Sequence, residues 1–190
     1  MALPRFAVVD LETSGLDTQR HRILQLGVVL TDPDGTVTDR WSSFVRLRWP
    51  LQRVGPTRIH GITRTTLKGA PRLDDALDEL GRRLDGAVFT AHNAEFDSEF
   101  LARAVRRRPA DDPVRLALEP RLCTLRMSRR LDPDRTLSHR LGDVCERYGV
   151  TLDRPHDALG DAAATAAVLP HLLAAHEITD ESQLEPFYVR

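Results

Sequence analysis

The sequence predicts an α/β domain built on one core, and three observations predict it. Three apolar, strand-like runs open the chain in succession; from Arg72 onward, helix-period and strand-like segments alternate; and no internal repeat or low-complexity tract interrupts the pattern. A chain of 190 residues, 41% hydrophobic and 29% charged, fits one compact domain and leaves little for a second.

Phe6 to Val9 is a short apolar run that stops at Asp10, as a buried strand with polar chemistry at its end would. A turn is expected around Ser14-Gly15, then a second strand from Ile23 to Thr31. Asp32-Pro33-Asp34-Gly35 is a turn signal, and Thr36 to Leu47 reads as a third strand, antiparallel to the second. Leu73, Ala76, Leu77, Leu80 and Leu84 recur at three- and four-residue spacing, which predicts an amphipathic helix over Arg72 to Asp85. Ala87 to Ala91 reads as a strand and Glu95 to Arg108 as a helix stopped by Pro109. Residues 109–120, with three prolines, read as a connecting loop. A short strand is expected near Leu122 to Thr124, helices over Leu125 to Leu131 and Ser138 to Tyr148, and an alanine-rich helix over Asp157 to His176, kinked at Pro170.

Composition removes several classes. The longest nearly apolar stretch, Ala162 to Ala175, is too short to cross a bilayer. The opening residues lack the sections of a signal peptide, so cytoplasmic residence is the expectation. Cys123 and Cys145 lie far apart and outside any Cys-x-x-Cys spacing, so they read as buried small residues rather than metal or disulfide partners. The formal net charge of −1 announces no polyanion, but the average hides an uneven distribution. Arg40 to Arg72 holds eight basic residues and no acid, whereas Leu141 to Arg190 holds three basic against nine acidic. Arg103, Arg106, Arg107 and Arg108 form a second basic cluster, which reads as a solvated, dipole-favoured helix end.

Four acids sit where acids are structurally awkward. Asp10 and Glu12 lie two apart directly after an apolar strand, so extended backbone through Leu11 would point both carboxylates to one side of the sheet, where they would repel unless a cation lay between them. Asp97 falls in the first turn of the helix that follows His92-Asn93, and Asp161 lies four residues, one helical turn, beyond the natural N-cap Asp157, with His156 just ahead. Taken singly, each has an ordinary explanation: a strand end, a turn cap, an acid favoured by a helix dipole.

Taken together, they resemble the three motifs of the DEDDh family of 3′→5′ exonucleases, typified by the proofreading epsilon subunit of bacterial DNA polymerase III. Val9-Asp10-Leu11-Glu12-Thr13-Ser14-Gly15-Leu16 is similar to the first motif, His92-Asn93 through Phe96-Asp97 to the second, and His156-x-Ala158-x-x-Asp161 to the third, in the family's order; Ile59-His60-Gly61-Ile62-Thr63 resembles a signature between the first two. The resemblance spans Phe6 to Leu169 and implies an RNase H-like fold, with a five-stranded mixed sheet whose second strand is antiparallel to the rest. It implies an exonuclease domain over residues 1–176 and a tail over 177–190. It also implies two ions of Mg²⁺ or Mn²⁺ held by Asp10, Glu12, Asp97 and Asp161, hard oxygen donors that select such cations, and His156 as general base, imidazole being the side chain whose ordinary pKa lies nearest neutrality.

For substrate, the resemblance places Thr13, Ser14 and Leu16 against the terminal nucleotide, Ile59, His60 and Ile62 on its other flank, and Asn93 on the scissile strand. Leu16 and Ile62 also suit ordinary core packing. The expected partner is nucleic acid with a single-stranded or frayed 3′ end. Gln183-Leu184-Glu185-Pro186-Phe187 is loosely similar to peptides by which replication proteins grip a sliding clamp, and proofreading would need a polymerase partner, since no polymerase domain is present in this chain. Two alternatives stay open: an exonuclease that trims short RNA, and a catalytically silent domain that binds nucleic-acid ends or scaffolds a polymerase.

Overall fold

The structure is a computed structural model that describes residues 2–49 and 52–189, so Met1 and Arg190, the ends of the expected domain and tail, lie outside it. The chain runs β1 (Phe6–Thr13), β2 (Ile23–Thr31), β3 (Val37–Phe44), α1 (Thr57–His60), α2 (Arg64–Leu67), α3 (Leu73–Leu84), β4 (Val88–Ala91), α4 (Ala94–Ala104), α5 (Pro113–Ala117), β5 (Arg121–Cys123), α6 (Thr124–Arg130), α7 (Leu141–Arg147) and α8 (Ala158–Ala175), closing with a 3₁₀ turn (Glu181–Phe187) and β6 (Tyr188–Val189).

One mixed sheet has the order β3-β2-β1-β4-β5-β6. β2 is antiparallel to both its neighbours, β1 and β3, as expected, while β1, β4 and β5 run parallel. The sheet has six strands rather than five. The additional strand, Tyr188–Val189, comes from the expected tail and pairs antiparallel with Arg121 and Leu122 of β5.

β1 is central and buried on both faces, so period-2 alternation sorts its side chains between two cores. Ala7, Val9 and Leu11 join the core that contains residues of α3 and α4, while Phe6 and Val8 join the core containing α8. β1 continues past Asp10 to Thr13, its ladder with β2 pairing Asp10 with Gly27 and Glu12 with Gln25. Asp10 and Glu12 therefore share the Phe6–Val8 face, the one that α8 covers.

α8 is 18 residues long and apolar enough to be compared with a membrane span, and half of that window is buried inside the fold, as in a core helix. Its alanines Ala158, Ala162, Ala164 and Ala166 are buried, which lets its backbone lie close to the sheet. The helix continues through Pro170. The expected loop 109–120 contains α5, started by Asp112, whose carboxylate accepts from the N–H groups of Val114 and Arg115, with Pro113 at the first helical position. Cys123 and Cys145 are both buried and free.

Candidate active site

The site is assembled by three elements meeting at the C-terminal end of β1. β1 supplies Asp10 and Glu12. α4 supplies Asp97, which is buried and whose Oδ1 accepts from the backbone N–H of Leu11 at 3.1 Å, locking the first turn of α4 onto the strand between the two acids. α8 supplies Asp161, whose Oδ2 accepts from the N–H of His156 at 3.1 Å.

α8 can reach this point because of two residues in β2. A β-carbon on Gly27, the partner of Asp10, would lie 2.3 Å from the carbonyl oxygen of Ala158, so only glycine admits the helix here. Gln25, the partner of Glu12, donates from Nε2 to Asp157 Oδ2 at 3.2 Å and accepts from the N–H of Ala158 at 3.4 Å. Asp157 in turn caps α8 by accepting from Gly160 N at 3.0 Å. Neither Gln25 nor Gly27 was singled out from sequence, although a glutamine and a glycine two apart in an otherwise apolar strand are a readable sign that a backbone approaches one face.

The electrostatics are those of a site short of positive charge. Asp10 is held well above the usual carboxylate range, chiefly by loss of water and then by Asp97, Asp161, Glu12 and Asp157 around it. Burial, followed by Asp161 and Asp157, pushes Glu12 up to about 7. Asp97 is raised by burial despite the Leu11 N–H that favours its charged form, and Asp161 is raised by burial despite the N–H of His156. Ligand atoms of Glu12, His156 and Asp161 lie within 4.8 Å of one another. Asp161 Oδ1 is buried without a hydrogen-bond partner among the described residues. Crowded carboxylates of raised pKa and an orphaned oxygen are what a hard divalent cation satisfies, and the donor set fits Mg²⁺ or Mn²⁺.

The flanking residues divide. Thr13 Oγ1 donates to the carbonyl of Gly15 at 2.8 Å, and Ser14 is tied across the neck of the turn to Arg22 through bonds of 2.9 and 3.0 Å. That turn presents Leu16 at 81% exposure, so Leu16 is not a core residue. Ile59 is 50% exposed, whereas Ile62 is 3% exposed and packs with Leu24, Val54 and Leu67. His60 is buried, its Nδ1 accepting from Ile62 N at 3.0 Å and its Nε2 without a partner among the described residues. Burial lowers its pKa, and His156 is near enough to lower it further.

Asn93 caps α4 in the left-handed conformation, φ 76°, with its side chain unspent on the helix. The neighbouring His92 is fixed by Thr124 Oγ1 at 3.0 Å and the carbonyl of His139 at 2.9 Å. His92 thereby fastens this strained corner to the β5–α6 junction. Nothing in the sequence spacing of His92, Thr124 and His139 foretold the link.

The model of the RNase T exonuclease family, described as "Exonuclease", matches residues 7–169. The chain belongs to this exonuclease family. Among curated relatives of this exonuclease chain, the PolC-type DNA polymerase III of Halalkalibacterium halodurans is 34% identical over 165 residues, covering 86% of this chain and 11% of that protein. That of Bacillus subtilis is 30% identical over 168 residues, covering 88% and 11%. The chain thus spans about a tenth of the length of the relatives it matches. Among solved structures, Exonuclease X in complex with 5′ overhanging duplex DNA superposes with a TM-score of 0.72 at 25% identity, covering 97% of this chain and 99% of that one. Escherichia coli Exonuclease I in complex with a dT13 oligonucleotide does so with a TM-score of 0.75 at 20% identity, covering 92% and 42%. The exonuclease family and the α/β architecture predicted from the sequence are therefore both established.

Proposed function

We propose that this exonuclease works from the 3′ end, hydrolysing terminal phosphodiester bonds of single-stranded or frayed DNA and releasing 5′-mononucleotides. The observation that carries the reading is the convergence of Asp10, Glu12, Asp97 and Asp161 with His156 at one end of β1, each acid raised in pKa and Asp161 Oδ1 lacking a partner among the described residues. Two divalent ions, Mg²⁺ or Mn²⁺, held by the four carboxylates would supply an activated water and stabilise the departing 3′ oxygen.

The chain's own residues do the rest. His156 takes the proton from the attacking water, its ring sharing a small space with Glu12 and Asp161. Asp161 orients the His156 backbone by accepting its N–H, and Asp97 fixes the height of β1 by accepting from Leu11. Thr13 and Ser14 shape the turn that receives the terminal sugar, Leu16 and Ile59 offer exposed apolar surface to its base, His60 offers an Nε2 without a hydrogen-bond partner among the described residues, and Asn93 offers a side chain that makes no capping bond to α4. Ile62 supports that surface from beneath. DNA is preferred over RNA as substrate because the curated relatives are DNA polymerases, which also makes a polymerase the partner of choice and the cytoplasm the setting.

The peptide proposed for a sliding clamp is already in use: Leu184 and Phe187 are buried in the α8 core, so a clamp would have to displace them. The decisive experiment is incubation with Mg²⁺ of matched single-stranded DNA and RNA oligonucleotides labelled at either end. Stepwise shortening of 5′-labelled DNA, with the label released from 3′-labelled DNA as a mononucleotide, is expected. Loss of the 5′ label first, or no shortening, overturns the reading.

A further inference from the structure

On the α3–α4 side of the sheet lies an open cleft of about 880 Å³ that none of the catalytic acids lines. Its walls bring together basic residues that are far apart in sequence. Arg46 and Arg48 follow β3, Arg72 precedes α3, and Arg106 and Arg107 follow α4, with Arg22 and Arg103 completing the lining. Seven arginines face one lining carboxylate, Asp74, and none of the seven forms a salt bridge among the described residues. Arg108, by contrast, is neutralised by Asp78 and Asp112 and points elsewhere. The α4 cluster is therefore not a uniformly solvated helix end: Arg108 is spent on the fold, Arg103 lines the cleft while donating to the carbonyls of Thr18 and His21, and Arg106 and Arg107 line it exposed.

Trp49 stands at the rim, 61% exposed, with the Arg48 guanidinium 5.6 Å from its ring centre. Its backbone is held by Gln52, whose Oε1 accepts from Arg48 N and Trp49 N at 2.8 and 3.2 Å. A chain as acidic as it is basic overall has concentrated unpaired positive charge and one presented aromatic face in a single groove, which is the combination that tracks a phosphate backbone and stacks an unpaired base.

The groove also borders the turn at the active site, since His21 and Arg22 line it. Arg22, in its wall, is the residue that clasps Ser14. The segment carrying Gln52 runs on to Gly55, where an added β-carbon would lie 2.3 Å from the Ser14 carbonyl. We propose that this cleft is a channel for a single nucleic-acid strand, gripping the phosphates of nucleotides that precede the end being cut. The assignment rests on the exonuclease reading for its orientation, but the binding is measurable without turnover.

The test is fluorescence anisotropy of a labelled DNA strand of about twelve nucleotides, in EDTA so that nothing is cut, titrated across salt concentrations. Replacing both Arg46→Gln and Arg107→Gln, exposed residues whose loss leaves the core intact, is expected to weaken binding about five- to tenfold at low salt and to reduce the slope of log K against log salt by about 1.4. Trp49→Ala is expected to weaken it about fivefold or more. Arg140→Gln, an exposed arginine outside the cleft, serves as comparator and is expected to stay within about twofold of the parent protein. An unchanged affinity and salt slope in the double variant overturns the channel, as does tighter binding of a duplex of the same length. A protein that binds as described yet shortens no oligonucleotide overturns the exonuclease reading instead.

Discussion

Gly27 of β2 and Ala158 of α8 approach so closely that a β-carbon on the glycine would lie 2.3 Å from the alanine's carbonyl oxygen. This contact sets how near the helix bearing Asp161 comes to the strand bearing Asp10, because Gly27 is the register partner of Asp10. Gly27→Ala is therefore expected to lift the start of α8 from the sheet. A loss of about 1–3 kcal/mol of stability in chemical denaturation, with a fall in turnover larger than the stability loss accounts for, would mark the contact as setting the geometry of the acids.

On the proposed reading, the raised pKa of Asp97 sets its service to the site against the stability of the metal-free fold. Asn in its place keeps an oxygen for the Leu11 N–H while removing one of the crowded charges. Asp97→Asn is expected to raise the melting temperature in EDTA and to lower turnover by on the order of 10²–10³-fold. A melting temperature below that of the parent protein would show that the carboxylate charge is compensated within the fold itself.

The same crowding fixes a pH dependence. Carboxyls whose folded pKa lies above the unfolded value bind protons more tightly in the folded state, so they penalise folding increasingly as pH rises from the unfolded value toward the folded one. For Glu12, raised from 4.5 to about 7, that window runs from about pH 4.5 to about pH 7, and the raised Asp10, Asp97 and Asp161 add to it in the same direction. Calorimetry in EDTA should show this contribution eroding stability across the window. Mg²⁺ should raise the melting temperature by more at pH 8 than at pH 5.

On the proposed mechanism, replacing His156 separates chemistry from ion binding. His156→Ala keeps all four carboxylates, so Mg²⁺ should still raise the melting temperature while turnover falls by roughly 10²–10⁴-fold. Unchanged turnover would remove the imidazole from the mechanism.

Phe187 closes the far edge of the α8 core, its ring 4.5 Å from that of His176 and within 5.7 Å of the Arg130 guanidinium. Phe187→Ala should cost about 3–5 kcal/mol in denaturant unfolding. A cost below about 1 kcal/mol would mean that the closing segment is dispensable to the fold and free to serve a partner.

The legible part of the molecule was the part governed by local rules. The apolar run Phe6 to Val9 marked β1, and two-residue spacing put Asp10 and Glu12 on one side of it. Leucine spacing marked α3, and Asp157 marked the start of α8. What escaped were features decided by distant partners. Tyr188 and Val189 lack the length of a strand and become one by pairing with β5. Leu16 and Ile62 look alike in sequence, yet one stands on a turn and the other beneath a helix pair. Gln25 and His92 act through residues far along the chain; the polar break at Gln25 hints at an approach without naming Asp157 as its partner, and nothing local names Thr124 or His139 for His92.

The basic cleft is made of arginine, in a chain whose sole lysine is Lys68. Guanidinium groups keep their charge at every pH at which a protein stays folded, whereas burial pushes Glu12 beside β1 up to about 7 and raises Asp10, Asp97 and Asp161 in the same direction. On the proposed reading, grip and cut therefore have different proton dependences within one small domain. At mildly acidic pH the molecule should hold a strand nearly as well as at neutral pH while its scissors stand idle, so that acidity alone uncouples holding from cutting. The same chemistry leaves the groove without a side-chain amine, and reagents that acylate lysine would find no target in it.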